Sequence, residues 1–121
     1  MEYQFGFEKL KVWQNSRQLT TAIYKITEDF PNEERYCLVD QIRRAVISVA
    51  SNLAEGSSRI SSKDQAHFTN LAYSSLMEVL NQLYIANDLN YITKETFTET
   101  KNKVSEISNQ LNALRKSQLN S

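Results

Sequence analysis

One stretch of the sequence, residues 38–56, limits what this chain can fold into more than any other part. At about 100° per residue, its side chains divide into two neighbouring stripes along one helix. The apolar stripe falls in a sector of roughly 100° and contains Leu38, Ile42, Ala45, Val46, Val49 and Leu53. The polar stripe contains Gln41, Arg44, Ser48, Asn52 and Glu55. Because solvated faces are usually rich in Lys and Glu, this amide and hydroxyl stripe predicts contact with protein.

Turn-forming residues are scarce, with two Gly and one Pro among 121 residues. Few turns mean few and long elements, and hairpins are hard to build from this composition, so the sequence favours an all-α fold. The 14 basic residues are balanced by 14 acidic residues. Strong nonspecific binding to nucleic acid is therefore not expected, because such binding depends on an excess of positive charge.

Cys37 is the single cysteine. It excludes an intrachain disulfide and a cysteine-based metal cluster, and it fits a reducing compartment. The sequence contains neither a signal peptide pattern nor an apolar run of roughly 18 residues. It predicts a soluble, cytoplasmic protein with no membrane partner.

The periodicity predicts one domain over residues 1–121 with four helices, at about residues 7–29, 33–55, 62–89 and 93–117. Pro31 ends the first helix, since the residue before Pro is pushed out of the helical region. Gly56 is expected in the left-handed position after the second helix. Ser62 and Gln65 fit a capping box for the third helix, and Thr93 fits a cap for the fourth.

The last predicted helix carries a heptad pattern. Its two interleaved rows are Phe97, Val104 and Leu111, and Thr100, Ile107 and Leu114. Short loops between long helices make each helix antiparallel to the next. The sequence therefore predicts an antiparallel up-down-up-down four-helix bundle.

Several segments resemble a known bacterial family. They are FEKLKVWQ at 7–14, FPNEE at 30–34, QIRRA at 41–45, NLAEG at 52–56, and the single residues Arg59, Ser75 and Glu78. Together they are similar to the four-helix-bundle family named for open reading frames in 23S ribosomal RNA intervening sequences. The resemblance covers nearly the whole chain in order.

This resemblance implies a four-helix bundle that assembles as a ring-shaped homopentamer, with no cofactor and no established enzymatic activity. Relatives include accessory proteins of diversity-generating retroelements, which contact a reverse transcriptase and nucleic acid. Those relatives tend to be basic, whereas this chain is neutral. The expected function is a noncatalytic scaffold or adaptor. One alternative is an accessory protein whose partner is RNA or DNA, or a protein of the reverse-transcriptase type. A second is an uncharacterised enzyme.

A polar network is the sharpest candidate site. Its expected members are Gln41, Arg44, Ser48, Asn52 and Glu55 on the second helix, and Ser75 and Glu78 on the third. If the two polar sectors face each other, Glu78 accepts hydrogen bonds from Arg43 or Arg44, because a buried carboxylate needs such a partner. Ser48 and Asn52 then complete a network that specifies helix register or forms an interface.

Arg43, Arg59 and Lys63 are candidate phosphate contacts, although Arg is equally suited to protein interfaces and ion pairs. The sequence predicts no catalytic, cofactor-binding or metal-binding residues. His67 is the only histidine, whereas a di-iron bundle needs Glu-x-x-His on two helices. An enzyme would have to use Glu55, Glu78 or Cys37, and Cys37 is more simply a buried helix thiol.

Six aromatic residues allow two interpretations. They are Trp13, Tyr24, Tyr36, Phe68, Tyr73 and Tyr84. Base stacking would place them in a nucleic-acid site. Helical spacing favours instead a place in the core or at a subunit interface.

Overall fold

The computed structural model describes residues 2–120 and contains no strand in that range. Its four long helices are α1 (Lys11–Thr27), α2 (Leu38–Ser57), α3 (Ser62–Asp88) and α4 (Lys94–Leu119). Two short 3-10 helices, Gly6–Lys9 and Asn32–Glu34, precede α1 and α2. The predicted all-α fold of four helices is confirmed.

Each helix packs against its neighbours in the order α1–α2–α3–α4, and α4 packs back against α1. The contacts between neighbours run antiparallel. The pairs are Thr20 with Val46 and Thr27 with Arg43, Ser48 with Ser75 and Gly56 with Phe68, Thr69 with Gln118 and Tyr84 with Lys101. Asn15 reaches Gln110 across the α1–α4 seam. None of the helices in residues 2–120 combines the length and the apolar character that a membrane crossing requires.

The core lies along the bundle axis, where the apolar faces of all four helices meet. Its fully buried large side chains are Leu19 and Ile23, Ile42, Val46 and Val49, Leu76, Val79 and Leu83, and Val104, Ile107 and Leu111. The predicted apolar stripe of α2 is buried from Ile42 to Leu53, whereas Leu38 is only partly buried. Phe97 and Leu114 of the heptad pattern pack at the core margin.

The predicted start of the first helix at residue 7 is wrong. Leu10 is extended, with φ −75° and ψ 120°, so the chain leaves the 3-10 helix there and α1 begins at Lys11. At its other end α1 stops at Thr27, two residues before the predicted boundary.

The predicted start of the second helix at residue 33 is also wrong, since α2 begins at Leu38. A tertiary contact holds the preceding segment: the Tyr91 hydroxyl donates to Glu34 Oε2 over 2.8 Å, and the Phe30 and Tyr91 rings lie 5.3 Å apart. Cys37, with φ −117° and ψ −102°, separates this segment from α2. Local propensity cannot reveal contacts made by a residue so distant in sequence.

Gly56 does not take the left-handed conformation predicted for it. It lies inside the last turn of α2, and no glycine has a positive φ. A Cβ added at Gly56 would lie 2.6 Å from the Phe68 Cβ, which is closer than real Cβ atoms approach. Glycine is needed here because α3 crosses against the α2 backbone.

The helix caps agree partly with prediction. Thr93 caps α4 as predicted, accepting a hydrogen bond from the Thr96 N–H. Ser61 rather than Ser62 caps α3, accepting from the Asp64 N–H. After α3, Asn90 has φ 62°, and the Tyr91 N–H donates to the Ala86 carbonyl over 2.9 Å. This is the left-handed termination that Asn tolerates and Gly more often supplies.

Several side-chain hydroxyl groups of α1 donate hydrogen bonds to backbone carbonyls of the same helix. Ser16, Thr20, Thr21 and Thr27 each donate to the backbone carbonyl four residues earlier, at distances between 2.7 and 3.3 Å. These bonds lie within the helix. Two of these hydroxyls also contact α2: Thr20 donates to the Val46 carbonyl over 3.4 Å, and Thr27 Oγ1 accepts from Arg43 Nε over 2.9 Å.

Candidate functional site

The outer surface between α2 and α3 forms a polar groove of about 260 Å³, here called the α2–α3 groove. Its lining consists of Gln41, Arg44, Ala45, Ser48, Ser75, Glu78 and Gln82. Five of these residues belong to the polar network predicted from the sequence. The antiparallel packing of α2 and α3 brings their two polar stripes to the same surface.

The floor of the α2–α3 groove is joined by hydroxyl and amide contacts. The Oγ atoms of Ser48 and Ser75 lie 2.8 Å apart. Asn52 Nδ2 donates to Ser48 Oγ over 3.0 Å and to the Ser48 carbonyl over 2.9 Å. Ser75 is buried and the other two residues are partly buried. The Ser48–Ser75 contact joins α2 to α3 through two short side chains, and the Asn52 contacts lie within α2.

The predicted ion pair of Glu78 with Arg43 or Arg44 is absent from the single chain, and Glu78 is exposed. Arg44 Nε lies 3.2 Å from Asp40 Oδ2, one turn earlier on its own helix. Arg43 Nε donates to Thr27 Oγ1 over 2.9 Å. Both arginines therefore have nearer partners. Within residues 2–120, Glu78 has no ion-pair partner.

Gln82 is the least satisfied residue of the groove. It is only 7% exposed, and its Oε1 is the one buried side-chain polar atom without a hydrogen-bond partner in the part of the chain described. Leaving a buried acceptor unpaired costs about 1–3 kcal/mol. The polar sector of α3 in the sequence includes this position, but no local pattern indicates that its carbonyl oxygen lacks a donor.

The two ends of the predicted network lie apart from the groove floor. Gln41 is exposed on the groove wall. Glu55 lies at the end of α2, outside the groove lining, where its Oε1 is 3.4 Å from Arg59 Nη2. Both of these side chains are well exposed, so this ion pair contributes little to stability.

The candidate phosphate contacts do not form one patch. Arg43 lies near the start of α2, whereas Arg59 follows its end, a separation of roughly 24 Å at 1.5 Å per residue. The Arg59 guanidinium carbon lies 4.5 Å from the Phe68 ring centre. Lys63 is exposed in the first turn of α3. A phosphate site built from all three side chains is not available on one chain.

The six aromatic residues singled out in the sequence share one arrangement, because a cation lies over each ring. The pairs are Arg17 with Trp13, Arg43 with Tyr24, Arg35 with Tyr36, Arg59 with Phe68, Arg115 with Tyr73 and Lys101 with Tyr84, at 4.4–5.9 Å from the ring centres. Such contacts are attractive by about 0.5–1 kcal/mol at exposed sites. In each pair, a stacking base would have to compete with a cation already in place.

The groups that an enzyme would need are scattered. Cys37 is exposed rather than buried and precedes α2, whereas Glu55 lies at the far end of that helix. Among the described residues, no group of three or more His, Cys, Asp or Glu side chains is placed to hold a metal ion. The pKa of Tyr91 is raised by its hydrogen bond to Glu34, and Tyr91 is not part of the groove lining.

Comparison with known proteins gives a family and a fold. The chain matches the model of a family described as 23S rRNA-intervening sequence protein over residues 8–113. It is similar to a crystal structure of a protein with unknown function from the S23 ribosomal protein family of Bacteroides thetaiotaomicron VPI-5482, with a TM-score of 0.80 and 24% identity. The alignment covers 87% of this chain and 98% of that chain. No curated protein matches the sequence significantly.

Proposed function

We propose that this chain, which belongs to the 23S rRNA-intervening sequence protein family, is a noncatalytic cytoplasmic scaffold that self-associates through the α2–α3 groove. Five copies is the number that the family resemblance implies. The groove then serves as a contact surface between subunits. No reaction is assigned to the chain, because its carboxylates and its thiol are not gathered around one cavity.

One observation carries this proposal: the unpaired Oε1 of Gln82 in a polar groove. Native proteins rarely leave a buried acceptor without a donor. Rotation of the Gln82 side chain would bring Oε1 to the groove surface, where an N–H group from a second molecule would supply the missing hydrogen bond. Glu78 adds an exposed carboxylate on the same lining, and a charge-assisted hydrogen bond to it would strengthen such a contact.

The native mass in solution tests the proposal. Light scattering during size-exclusion chromatography should give a multiple of the 14.0 kDa chain mass. A particle of one chain mass at all concentrations would contradict self-association.

Gln82→Met tests the groove itself. The substitution keeps the volume and removes the unpaired oxygen, so it should stabilise the dissociated chain while weakening assembly. Gln4→Met, at an exposed position, is the matched control and should alter neither quantity. If Gln82→Met left the dissociation constant unchanged, the α2–α3 groove would not be the contact surface.

A nucleic-acid accessory role is the second candidate, favoured by one observation. Helix α1 contains Lys11, Arg17 and Lys25 and no acidic residue, although the whole chain is neutral. A locally basic helix is what a phosphate backbone would need. Binding to a labelled single-stranded RNA, measured at several salt concentrations, should then weaken with a slope of log affinity on log salt near −0.7 per phosphate contact. No binding at low salt would exclude this role.

A further inference from the structure

Two grooves lie on opposite sides of the bundle. The α2–α3 groove is one of them. The other, here called the α1–α4 groove, has a volume of about 180 Å³ and is lined by Asn15, Gln18, Leu19, Lys103, Glu106 and Ile107. Because the helices follow one another around the bundle as α1, α2, α3 and α4, the α1–α4 side is the one farthest from the α2–α3 side.

The two pairs of helices that form these sides carry opposite net charge although the chain is neutral. Helices α1 and α4 together contain eight basic and three acidic residues, whereas α2 and α3 together contain three basic and five acidic residues. A net positive helix pair and a net negative helix pair on the same molecule attract each other between copies. They disfavour contact of like sides, because like charges facing each other at an interface are costly.

The charged groups of the two grooves also lie at matching heights along the bundle. Tyr84 contacts Lys101 across α3 and α4. Since these helices are antiparallel, moving two residues along each leads to Gln82 and Lys103, which therefore lie at nearly the same height. One turn further along, about 5 Å, Glu106 lies near the height of Arg44 and Glu78.

We propose that the α2–α3 groove receives the α1–α4 side of a second copy, with the Lys103 ammonium pairing with Glu78. This inference rests on the self-association proposed above and names the two surfaces that meet. Rotation about an axis parallel to the bundle brings each residue to the same height in the neighbouring copy. Groups that lie at the same height on the two grooves of one chain therefore face each other across the contact between two copies. Arg44 then stands beside Glu106 of the second copy.

Lys103 and Glu78 are both available for such a contact. Both are exposed, and neither has an ion-pair partner within residues 2–120. Glu106 accepts a long contact of 3.4 Å from Asn15 Nδ2. The resulting interface is heterologous, because it joins two different surfaces. A heterologous contact gives a closed ring when the rotation between copies closes, and an open fibre when it does not.

Charge reversal tests this pairing. Glu78→Lys places Lys against Lys103 of the next copy, and Lys103→Glu places Glu against Glu78, so each variant should raise the dissociation constant by at least about tenfold. The double variant Glu78→Lys with Lys103→Glu restores opposite charges and should recover the mass of the unmodified assembly. Asp88→Lys and Lys94→Glu make the same charge changes on α3 and α4 outside the grooves, and they should leave the mass unchanged.

The outcomes separate this inference from the proposed function. An unmodified chain that is monomeric contradicts both. An assembled unmodified chain whose single variants remain assembled contradicts the pairing alone, as does a double variant that stays dissociated, or control variants that dissociate. Thermal unfolding of each variant at a dilution where the chains are monomeric shows whether it folds. A single variant that does not fold is replaced by the neutral Glu78→Gln or Lys103→Gln, which should weaken assembly in the same direction.

Discussion

The α2–α3 seam and the α1–α4 seam are both antiparallel, yet they are held together differently. At the first, Gly56 lets the Phe68 Cβ lie against the α2 backbone, and the Ser48 and Ser75 hydroxyls meet at 2.8 Å. At the second, Asn15 reaches Gln110 near the surface over 3.0 Å, and the contacts between the helices are the sparsest of the four neighbouring pairs. Small residues bring backbones close, whereas longer amides only bridge a gap.

The largest expected effect comes from closing the space at Gly56. Gly56→Ala would place a methyl group against Phe68 Cβ, an atom next to the backbone that cannot swing away. Overpacking typically costs about 1–3 kcal/mol, of which about 1 kcal/mol is offset by the better helix propensity of Ala. We expect a net loss in the free energy of unfolding, measured by urea denaturation. Gly6→Ala is the control, since nothing lies within 4 Å of a Cβ there. If both variants were equally stable, the close approach of Phe68 to Gly56 would not distinguish the α2–α3 seam from the α1–α4 seam.

A smaller effect is expected from the polar contacts of the two seams. Ser75→Ala removes a buried hydroxyl contact and should lower the free energy of unfolding by about 1 kcal/mol. Asn15→Ala removes a bridge nearer the surface and should cost about 0.5 kcal/mol or less. Both changes can be measured on the dissociated chain by urea denaturation. A larger loss for Asn15→Ala would reverse the order of the two seams.

The smallest expected effect is on the pH dependence of the free energy of unfolding. It arises from Tyr91, at the end of the bundle where α1 stops and α4 begins. The raised pKa of Tyr91, caused chiefly by its hydrogen bond to Glu34, means that folding favours the protonated phenol. This contribution is complete below the ordinary pKa of about 10 and is lost as the pH rises through the raised value. Tyr91→Phe should therefore make the free energy of unfolding fall less steeply as the pH rises above about 10. Tyr3→Phe, at an exposed position, serves as control. An unchanged slope for Tyr91→Phe would show that the hydrogen bond does not persist in solution.

The sequence predicted α4 most closely. Thr93 caps it, and Val104, Ile107 and Leu111 of its heptad pattern are buried. Both signals are local, since a cap acts within one turn and a heptad repeat depends on the spacing of apolar residues. The family resemblance was confirmed by the match over residues 8–113.

The failures occurred where a residue far along the chain decides the local structure. Glu34 resembles a first-turn residue of a helix, but its carboxylate accepts from Tyr91. Gly56 resembles a helix terminator, but its role is to accommodate Phe68. At the candidate site, the facing stripes were predicted through Ser48 and Ser75. The pairing of Arg44 was not, because Asp40 lies closer than Glu78 and competes for the same guanidinium.

The hydroxyl groups of α1 have a consequence for local opening. Because Ser16, Thr21 and Thr27 donate to carbonyls of their own helix, those bonds move with α1 when it separates from the other three helices. Detachment therefore exposes apolar surface and breaks the bonds of Thr27 with Arg43 and of Asn15 with Gln110, but it leaves the hydroxyl bonds within α1 intact. Local unfolding needs less free energy where fewer interactions are broken. The backbone amides of α1 should accordingly exchange for deuterium before those of α2 and α3. Helix α1 is therefore the segment of this bundle that we expect to open first.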